Sequence, residues 1–276
     1  MPGDTKERGV MARLAVIAGQ GMLPVTLADQ ARRQGEDVVV FRIAGQADAD
    51  FSAFDGDEVP LGAVGQTRDR LVEAGCDRVV MAGKIRRPSL AQLKPDAAAV
   101  KLLAKAVGRG DDALLRAISD YLADAGIETL SPDVFMPQAM MPDGLQAGQL
   151  DAAARVDVDR GVAVLDALGA HDVGQAVVVQ DARVIAIEAA EGTDEMLRRV
   201  AALLDPSGPP AVFVKRRKAG QDTRLDLPVI GADTIRNAAT AGIGVMALEA
   251  GGVLLAGEPD SLWQLAGDKK MTVVGI

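Results

Sequence analysis

The segment Lys215-Arg216-Arg217-Lys218-Ala219-Gly220-Gln221-Asp222-Thr223-Arg224-Leu225-Asp226-Leu227-Pro228 sets cations directly beside carboxylates. Carboxylates suit a hard, oxygen-seeking ion such as Mg²⁺, and cations suit a phosphate-bearing substrate. The chain holds one histidine, His171, and one cysteine, Cys76. It therefore cannot build an imidazole-rich dinuclear centre or a thiolate zinc site. If the segment is extended, Asp222, Arg224 and Asp226 share one side at roughly 6.6 Å intervals. Two carboxylates so spaced cannot grip one ion without a bend. Either one is a direct ligand with the other behind it, or the loop curves. A solvated ladder of alternating charge is the plain structural alternative. The apolar stretch Leu227 to Gly231 that follows favours an inward-facing site.

Glu188 to Glu195 joins a strand to a helix. Thr193 is a natural N-cap, and Asp194 and Glu195 suit the positive end of that helix. Glu188 and Glu191 remain, as candidates to hold a metal or position a water. Near the start, Gly19-Gln20-Gly21-Met22-Leu23-Pro24 follows a strand and opens a helix. Such a turn lets backbone N–H groups approach a phosphate, or is simply tight. It is no dinucleotide fingerprint, because Pro24 replaces the third glycine and Arg42, not an acid, ends the next strand. Gly83-Lys84-Ile85-Arg86-Arg87-Pro88 ends another strand. Its cations could meet a diphosphate or form a solvated basic loop. His171 reads as a turn residue and Cys76 as a small buried hydrophobe. No P-loop and no nucleophile elbow is present.

The net charge of −9 and the few aromatic residues argue against binding nucleic acid. One cysteine allows no disulfide within the chain, which fits a reducing cytoplasm. No apolar run approaches the ~20 residues of a spanning helix. The expected architecture is α/β. An N-terminal Rossmann-like parallel-sheet domain is followed by a C-terminal mixed-sheet α/β domain. Strands are expected at 14–18, 38–41, 58–61, 77–82 and 127–130, with helices at 22–34, 66–74, 97–107 and 111–125. Residues 1–11 are expected to be a disordered tail, 12–131 a nucleotide-binding domain and 132–150 a proline- and glycine-broken linker. Residues 151–276 form the second domain. There the pattern gives a helix at about 157–168, a hairpin of 176–179 with 183–187, and helices near 194–204, 232–241 and 259–267. Strands at 211–214, 245–248, 253–255 and 271–275 complete it.

Taken together, Val16 to Pro24, Met81 to Ile85, Asp172 to Val179, Glu191 to Asp194 and Gln221 to Pro228 resemble the UDP-2,3-diacylglucosamine pyrophosphatases of lipid A biosynthesis. The type meant is the one unrelated to calcineurin-like metallophosphoesterases. The likeness runs from about Leu14 to the end, and its last two motifs are the specific ones. Ala219 departs from it, standing where a proline is expected. The resemblance implies a divalent-cation-dependent hydrolase that yields UMP and 2,3-diacylglucosamine 1-phosphate (lipid X). It implies a cytoplasmic homodimer with substrate between two domains and transient contact with the inner face of the inner membrane. Carried onto these positions, catalysis falls to Asp226, Asp222, Arg224, Lys215 and Lys218, and Mg²⁺ to Asp226, Asp222 and Glu188. Substrate contacts fall to Gly19, Gln20, Gly21, Met22, Leu23, Gly83, Lys84, Gln175, Glu191, Gly192, Thr193 and Gln221. The residues alone leave two other readings open, a nucleotide-sugar transferase and a non-catalytic phosphoglycolipid-binding protein.

Overall fold

The first strand, β1 (Arg13–Ala18), is apolar from Leu14 onward because it lies between two parallel neighbours, β2 (Asp37–Ile43) and β4 (Cys76–Ala82). The computed structural model describes residues 12–86, 95–106, 111–169, 171–218 and 220–276, in two compact units that meet in sequence at Phe135 and Met136. In the first unit, β3 (Gly56–Val59) and β5 (Glu128–Leu130) complete an all-parallel sheet in the order β3-β2-β1-β4-β5. Helices α1 (Leu23–Arg33), α2 (Val64–Glu73), α3 (Ala97–Ala106) and α4 (Asp111–Ala123) connect it. This matches the expected Rossmann-like sheet. The strand order reverses between β1 and β4, and in such sheets the ligand crevice lies outside the strand ends at that reversal. β3 begins two residues earlier than expected. It starts at Gly56, where any side chain would overlap the Val40 carbonyl, and stops before Pro60. Ile17, Phe41, Leu71, Val79, Leu122 and Ile127 form part of the core beneath.

The second unit holds a six-stranded mixed sheet. Its strands are β6 (Gly144–Ala147), β7 (Ala176–Gln180), β8 (Arg183–Ile187), β9 (Ala211–Lys215), β11 (Ile243–Leu248) and β13 (Thr272–Gly275). The spatial order is β6-β13-β11-β9-β7-β8. The three central strands are parallel, and β6, β7 and β8 pair antiparallel. A separate parallel pair joins β10 (Val229–Gly231) to β12 (Leu254–Ala256). Helix α5 (Ala152–Gly169) covers one face, with Val158 and Leu165 against Val177, Val212 and Val214. It packs closely because a Cβ at Gly161 would come within 2.5 Å of Val214 Cγ2. Helices α6 (Thr193–Val200), α7 (Ala232–Ala241) and α8 (Pro259–Asp268) supply Met196, Leu197, Ile235 and Leu262 to the opposite core, around Phe213 and Met246. β7 and β9 are therefore buried along their whole length.

Two local expectations change, and the expected hairpin has an unusual turn. The stretch 132–150, read as a linker, is paired along part of its length. Gly144–Ala147 is the edge strand β6, and Met141 exchanges backbone hydrogen bonds with Val253 and Gly251 at 2.8 Å each. Prolines and glycines here interrupt helices but leave room for a four-residue edge strand. Helix α5 starts near residue 152, not 157, because the Asp151 carboxylate accepts the Ala154 N–H at 2.7 Å. The β7–β8 hairpin turn places Asp181 and Ala182 both at positive φ (53° and 57°) with no glycine. The buried Asp157 carboxylate accepts both of their N–H groups, at 3.0 and 2.6 Å, and holds the turn. Among the described residues no helix is long and apolar enough to cross a membrane.

Candidate active site

At the carboxyl edge of the first sheet, two segments singled out separately in the sequence meet. Gln20 N–H donates to the Lys84 carbonyl at 2.9 Å, and Lys84 N–H returns a bond to Gln20 at 3.2 Å. A Cβ at Gly19 would lie 2.8 Å from the Lys84 carbonyl oxygen, and one at Gly83 (φ 91°) 2.7 Å from that of Gln20. These glycines are thus explained by the approach of one loop to the other. Gly21 N–H donates to Asp48 Oδ1 at 2.7 Å. Gln46 Oε1 accepts Arg86 N–H at 3.0 Å from the same connection after β2. Met22 is exposed at the start of α1, which has no side-chain cap, and Leu23 is its first residue. Lys84 and Arg86 are exposed beside it. Arg87 and Pro88 lie outside the described residues. This edge can offer N–H groups and cations to an anion, at a point where Asp48 already serves as the acceptor.

The second assembly lies at the carboxyl end of β9. Lys215 is only 6% exposed although charged, and its Nζ donates to Thr193 Oγ1 at 2.8 Å. Thr193 donates to Glu188 Oε1 at 2.8 Å. Glu188 Oε2 accepts the backbone N–H of Gln175 at 3.3 Å, and Gln175 Nε2 donates to Asp226 Oδ2 at 3.1 Å. Gln221 Nε2 donates to that same oxygen at 2.8 Å, while its Oε1 accepts the Lys218 N–H at 3.0 Å. Lys218 Nζ is paired with Asp172, which stands at φ 54° in the turn after α5. Two neutral amides on one carboxylate oxygen fix its orientation.

The Asp222 segment is curved, not extended. The Asp222 carbonyl accepts the N–H groups of Leu225 at 3.0 Å and Asp226 at 3.3 Å. Its carboxylate accepts the Arg224 N–H at 3.2 Å, which closes a side-chain turn. Arg224 also grips it from Nε at 2.9 Å and Nη2 at 2.6 Å. The even 6.6 Å row therefore does not form. Asp222 and Arg224 face each other, while Asp226, itself exposed, turns to the two glutamines.

Lys215, Thr193, Glu188, Gln175, Asp226, Gln221 and Lys218 thus form one connected hydrogen-bonded array. Glu191 stands apart from it. Its own backbone N–H and the Arg199 guanidinium, 2.8 Å away, hold its carboxyl below the usual range. Arg199 also reaches the Ile187 carbonyl at 2.6 Å, so Glu191 helps fasten α6 to β8. Gly192 (φ 80°), not Thr193, occupies the N-cap of α6, which leaves the threonine hydroxyl for Lys215 and Glu188. His171 is exposed in its turn. Cys76 is buried, and burial pushes its thiol up to about 11. Three acids missed in the sequence also matter: Asp48, Asp172 and Glu249. Asp172 lies inside a segment that carried the resemblance. Glu249 follows the apolar run of β11, and only the fold brings it to the charged loop.

Among the described residues no three His, Cys, Asp or Glu side chains converge to hold a metal. Asp222, Asp226 and Glu188 therefore do not make a three-carboxylate cage. Of the three, Asp226 is the exposed carboxylate and the one that could reach a hard ion. Glu188 uses both oxygens on neighbouring groups and stands behind Gln175. An open cavity of about 500 Å³ in the first unit, near Gln66, Arg68, Asp96 and Tyr121, contains none of the expected site residues.

The LpxI N-terminal domain model matches residues 13–139, and the LpxI C-terminal domain model matches residues 142–274. The chain is 37% identical to the UDP-2,3-diacylglucosamine pyrophosphatase LpxI of Caulobacter vibrioides (strain ATCC 19089 / CIP 103742 / CB 15), across 96% of this chain and 98% of that one. Two solved structures overlap it far less. N5-carboxyaminoimidazole synthase from Aspergillus clavatus covers 73% of this chain and 46% of its own, at 15% identity and TM-score 0.24. L-amino acid ligase from Bacillus licheniformis covers 68% and 42%, at 15% identity and TM-score 0.26, and nothing rests on either. Both halves match in order and the relative aligns from end to end, so this chain belongs to the LpxI family.

Proposed function

We propose that this chain hydrolyses the pyrophosphate linkage of UDP-2,3-diacylglucosamine, giving UMP and 2,3-diacylglucosamine 1-phosphate. The observation that carries the reading is the array converging on Asp226, set among Lys215, Lys218 and Arg224 in a chain aligned throughout with a relative of that named activity. In the reaction a water oxygen bonds to one phosphorus, the bridging P–O bond breaks, and the water gives up a proton. A Mg²⁺ ion bound through Asp226 and the phosphates would supply charge neutralisation and polarise the phosphoryl oxygens. The chain's own part is placement. Gln175 and Gln221 hold the Asp226 carboxylate toward the reacting group. Lys218 and Arg224 exchange their carboxylate partners for phosphate oxygens and stabilise charge developing there. Lys215, buried behind them, keeps Thr193 and Glu188 in register.

The test is incubation with UDP-2,3-diacylglucosamine in ¹⁸O-water, with and without chelator, beside Asp226→Ala. The expected products are UMP and the 1-phosphate, one carrying a single ¹⁸O. Turnover should cease with chelator and fall by about 10³-fold or more in the variant. Release of UDP would replace hydrolysis with sugar transfer. Binding without cleavage by the intact chain would make it a carrier. Normal turnover by Asp226→Ala would remove that residue from the chemistry.

A further inference from the structure

β9 and β11 are parallel neighbours, so their carboxyl ends, Lys215 and Leu248, lie side by side. Just past β11, the Glu249 backbone N–H donates to the Lys215 carbonyl at 3.0 Å. Its carboxylate then folds over the first residues of the charged loop. Oε2 accepts the Arg217 backbone N–H at 2.7 Å and the Arg217 Nε at 3.2 Å. Oε1 accepts Arg217 Nη2 at 3.3 Å and lies 4.0 Å from Arg216 Nη2. The Glu249 side chain is 16% exposed, against 37% for Arg217, so the acid is the sheltered member of the pair. The turn after it is shaped around this carboxylate. Gly252 N–H returns to the Glu249 carbonyl at 3.0 Å, and any side chain at Gly252 would overlap Glu249 Oε2.

We infer that Glu249 is a positioning residue for hydrolysis: it fixes where the Lys218–Asp226 loop departs from β9. The connection is contiguous. Glu249 holds Arg217, the next residue's N–H holds Gln221, and Gln221 holds Asp226. A carboxylate grasping a backbone N–H sets the path of the chain itself, which a guanidinium contact alone would not do. This rests on the proposed reading that the Asp226 loop performs the chemistry. An error of about 1 Å in placing a reacting group costs about 10²-fold, and that sets the size of the effect.

The experiment is steady-state kinetics on UDP-2,3-diacylglucosamine for Glu249→Ala, Glu249→Gln and Arg217→Ala, with thermal melting and with Asp226→Ala in parallel. Glu249→Ala should lose about 10²-fold in kcat with KM within about threefold. Glu249→Gln keeps a carbonyl for the Arg217 N–H and should recover to within about fivefold of the parent. Arg217→Ala keeps that N–H and should also stay within about fivefold. A kcat for Glu249→Ala equal to the parent's overturns the inference, as does a Gln variant no better than Ala. If the Ala variant does not fold, Glu249→Asp carries the test, because it retracts the carboxylate by one methylene. An unchanged kcat there overturns the inference too. If Asp226→Ala itself turns over normally, the reading of the site has failed. If Asp226→Ala is inactive and Glu249→Ala is normal, only the role of Glu249 falls.

Discussion

Replacing Lys215 by methionine should separate catalysis from stability. The side chain is 6% exposed at the end of a strand buried throughout, and its ammonium donates to Thr193 Oγ1 at 2.8 Å. Methionine has similar length and no charge. The hydrogen bond from the ammonium to Thr193 is lost, about 1.5–3 kcal/mol for a bond from a charged group. Folding regains the cost of drying an ammonium, which often offsets such a loss in full when an apolar residue fills the space. The net change in stability should fall within about 2 kcal/mol of zero, in either direction. Turnover should respond differently. Thr193 still has Glu188 as acceptor, but it loses the Lys215 ammonium, and the cation is gone from behind the Asp226 loop. A loss of about 10²-fold in kcat is expected, equivalent to about 2.7 kcal/mol of barrier. The assay is product release under saturating substrate, set beside urea denaturation of the same preparation. A Lys215→Met enzyme with kcat within threefold of the parent would refute the idea that this lysine supports the reaction.

The hairpin turn offers a test of folding alone. Removing the Asp157 carboxylate strands the N–H groups of Asp181 and Ala182 in a turn at positive φ, so Asp157→Ala should cost about 2–4 kcal/mol by chemical denaturation, and a loss under 1 kcal/mol would show that the carboxylate does not hold the turn. Cys76 should resist alkylation at pH 8, because burial raises its thiol from the ordinary 9.0 to about 11; labelling at the rate of a free peptide thiol would contradict that burial. The same shift has a signed consequence. The thiol's folded-state value is raised, so its contribution to stability is complete below about 9 and disappears as the pH climbs to about 11, because the unfolded chain releases its proton first. In urea titrations between pH 8 and 11 the stability of the parent relative to Cys76→Val should therefore fall, and a constant difference would contradict the raised thiol.

The sheets were legible because their signals are local. β1, β2 and β4 announce themselves as apolar runs ended by glycine or charge, and the alternation of strands with helices dictates a parallel sheet. The motif residues Gln175, Thr193, Gln221 and Asp226 were legible too, through the family likeness. What stayed hidden was their chemistry toward one another. Nothing local says that Gln175 and Gln221 donate to one oxygen of Asp226, since that contact joins a strand entry to a loop 51 residues away. At Asp222 period-two spacing left an extended row and a curved loop both open, and the curved form, closed by the aspartate side chain, is the one found. The Gly19 turn read as open to a phosphate or simply tight, and no local signal said that Gly19 and Gly83 each make room for the other's loop. β6 was missed because a four-residue edge strand, bordered by proline and glycine, carries almost no pattern.

Each cation of the charged run has an acidic or hydroxyl partner in its own unit: Lys215 with Thr193, Arg216 with Asp166, Arg217 with Glu249, Lys218 with Asp172 and Arg224 with Asp222. This bears on how an acidic protein of net charge −9 can accept a diphosphate. Bulk attraction is not available, so on the proposed reading the anion is captured by exchange of partners at short range. An exchange keeps the number of ion pairs nearly constant, and its gain comes from geometry: a diphosphate presents several oxygens to two cations at once, where Asp172 and Asp222 each present one carboxylate to one. A single phosphate would have to displace the same carboxylates while satisfying fewer cations. On the proposed reading the arrangement therefore favours a pyrophosphate ester over inorganic phosphate. The same reading accounts for the carboxylates of this loop, which hold the cations in place until substrate replaces them.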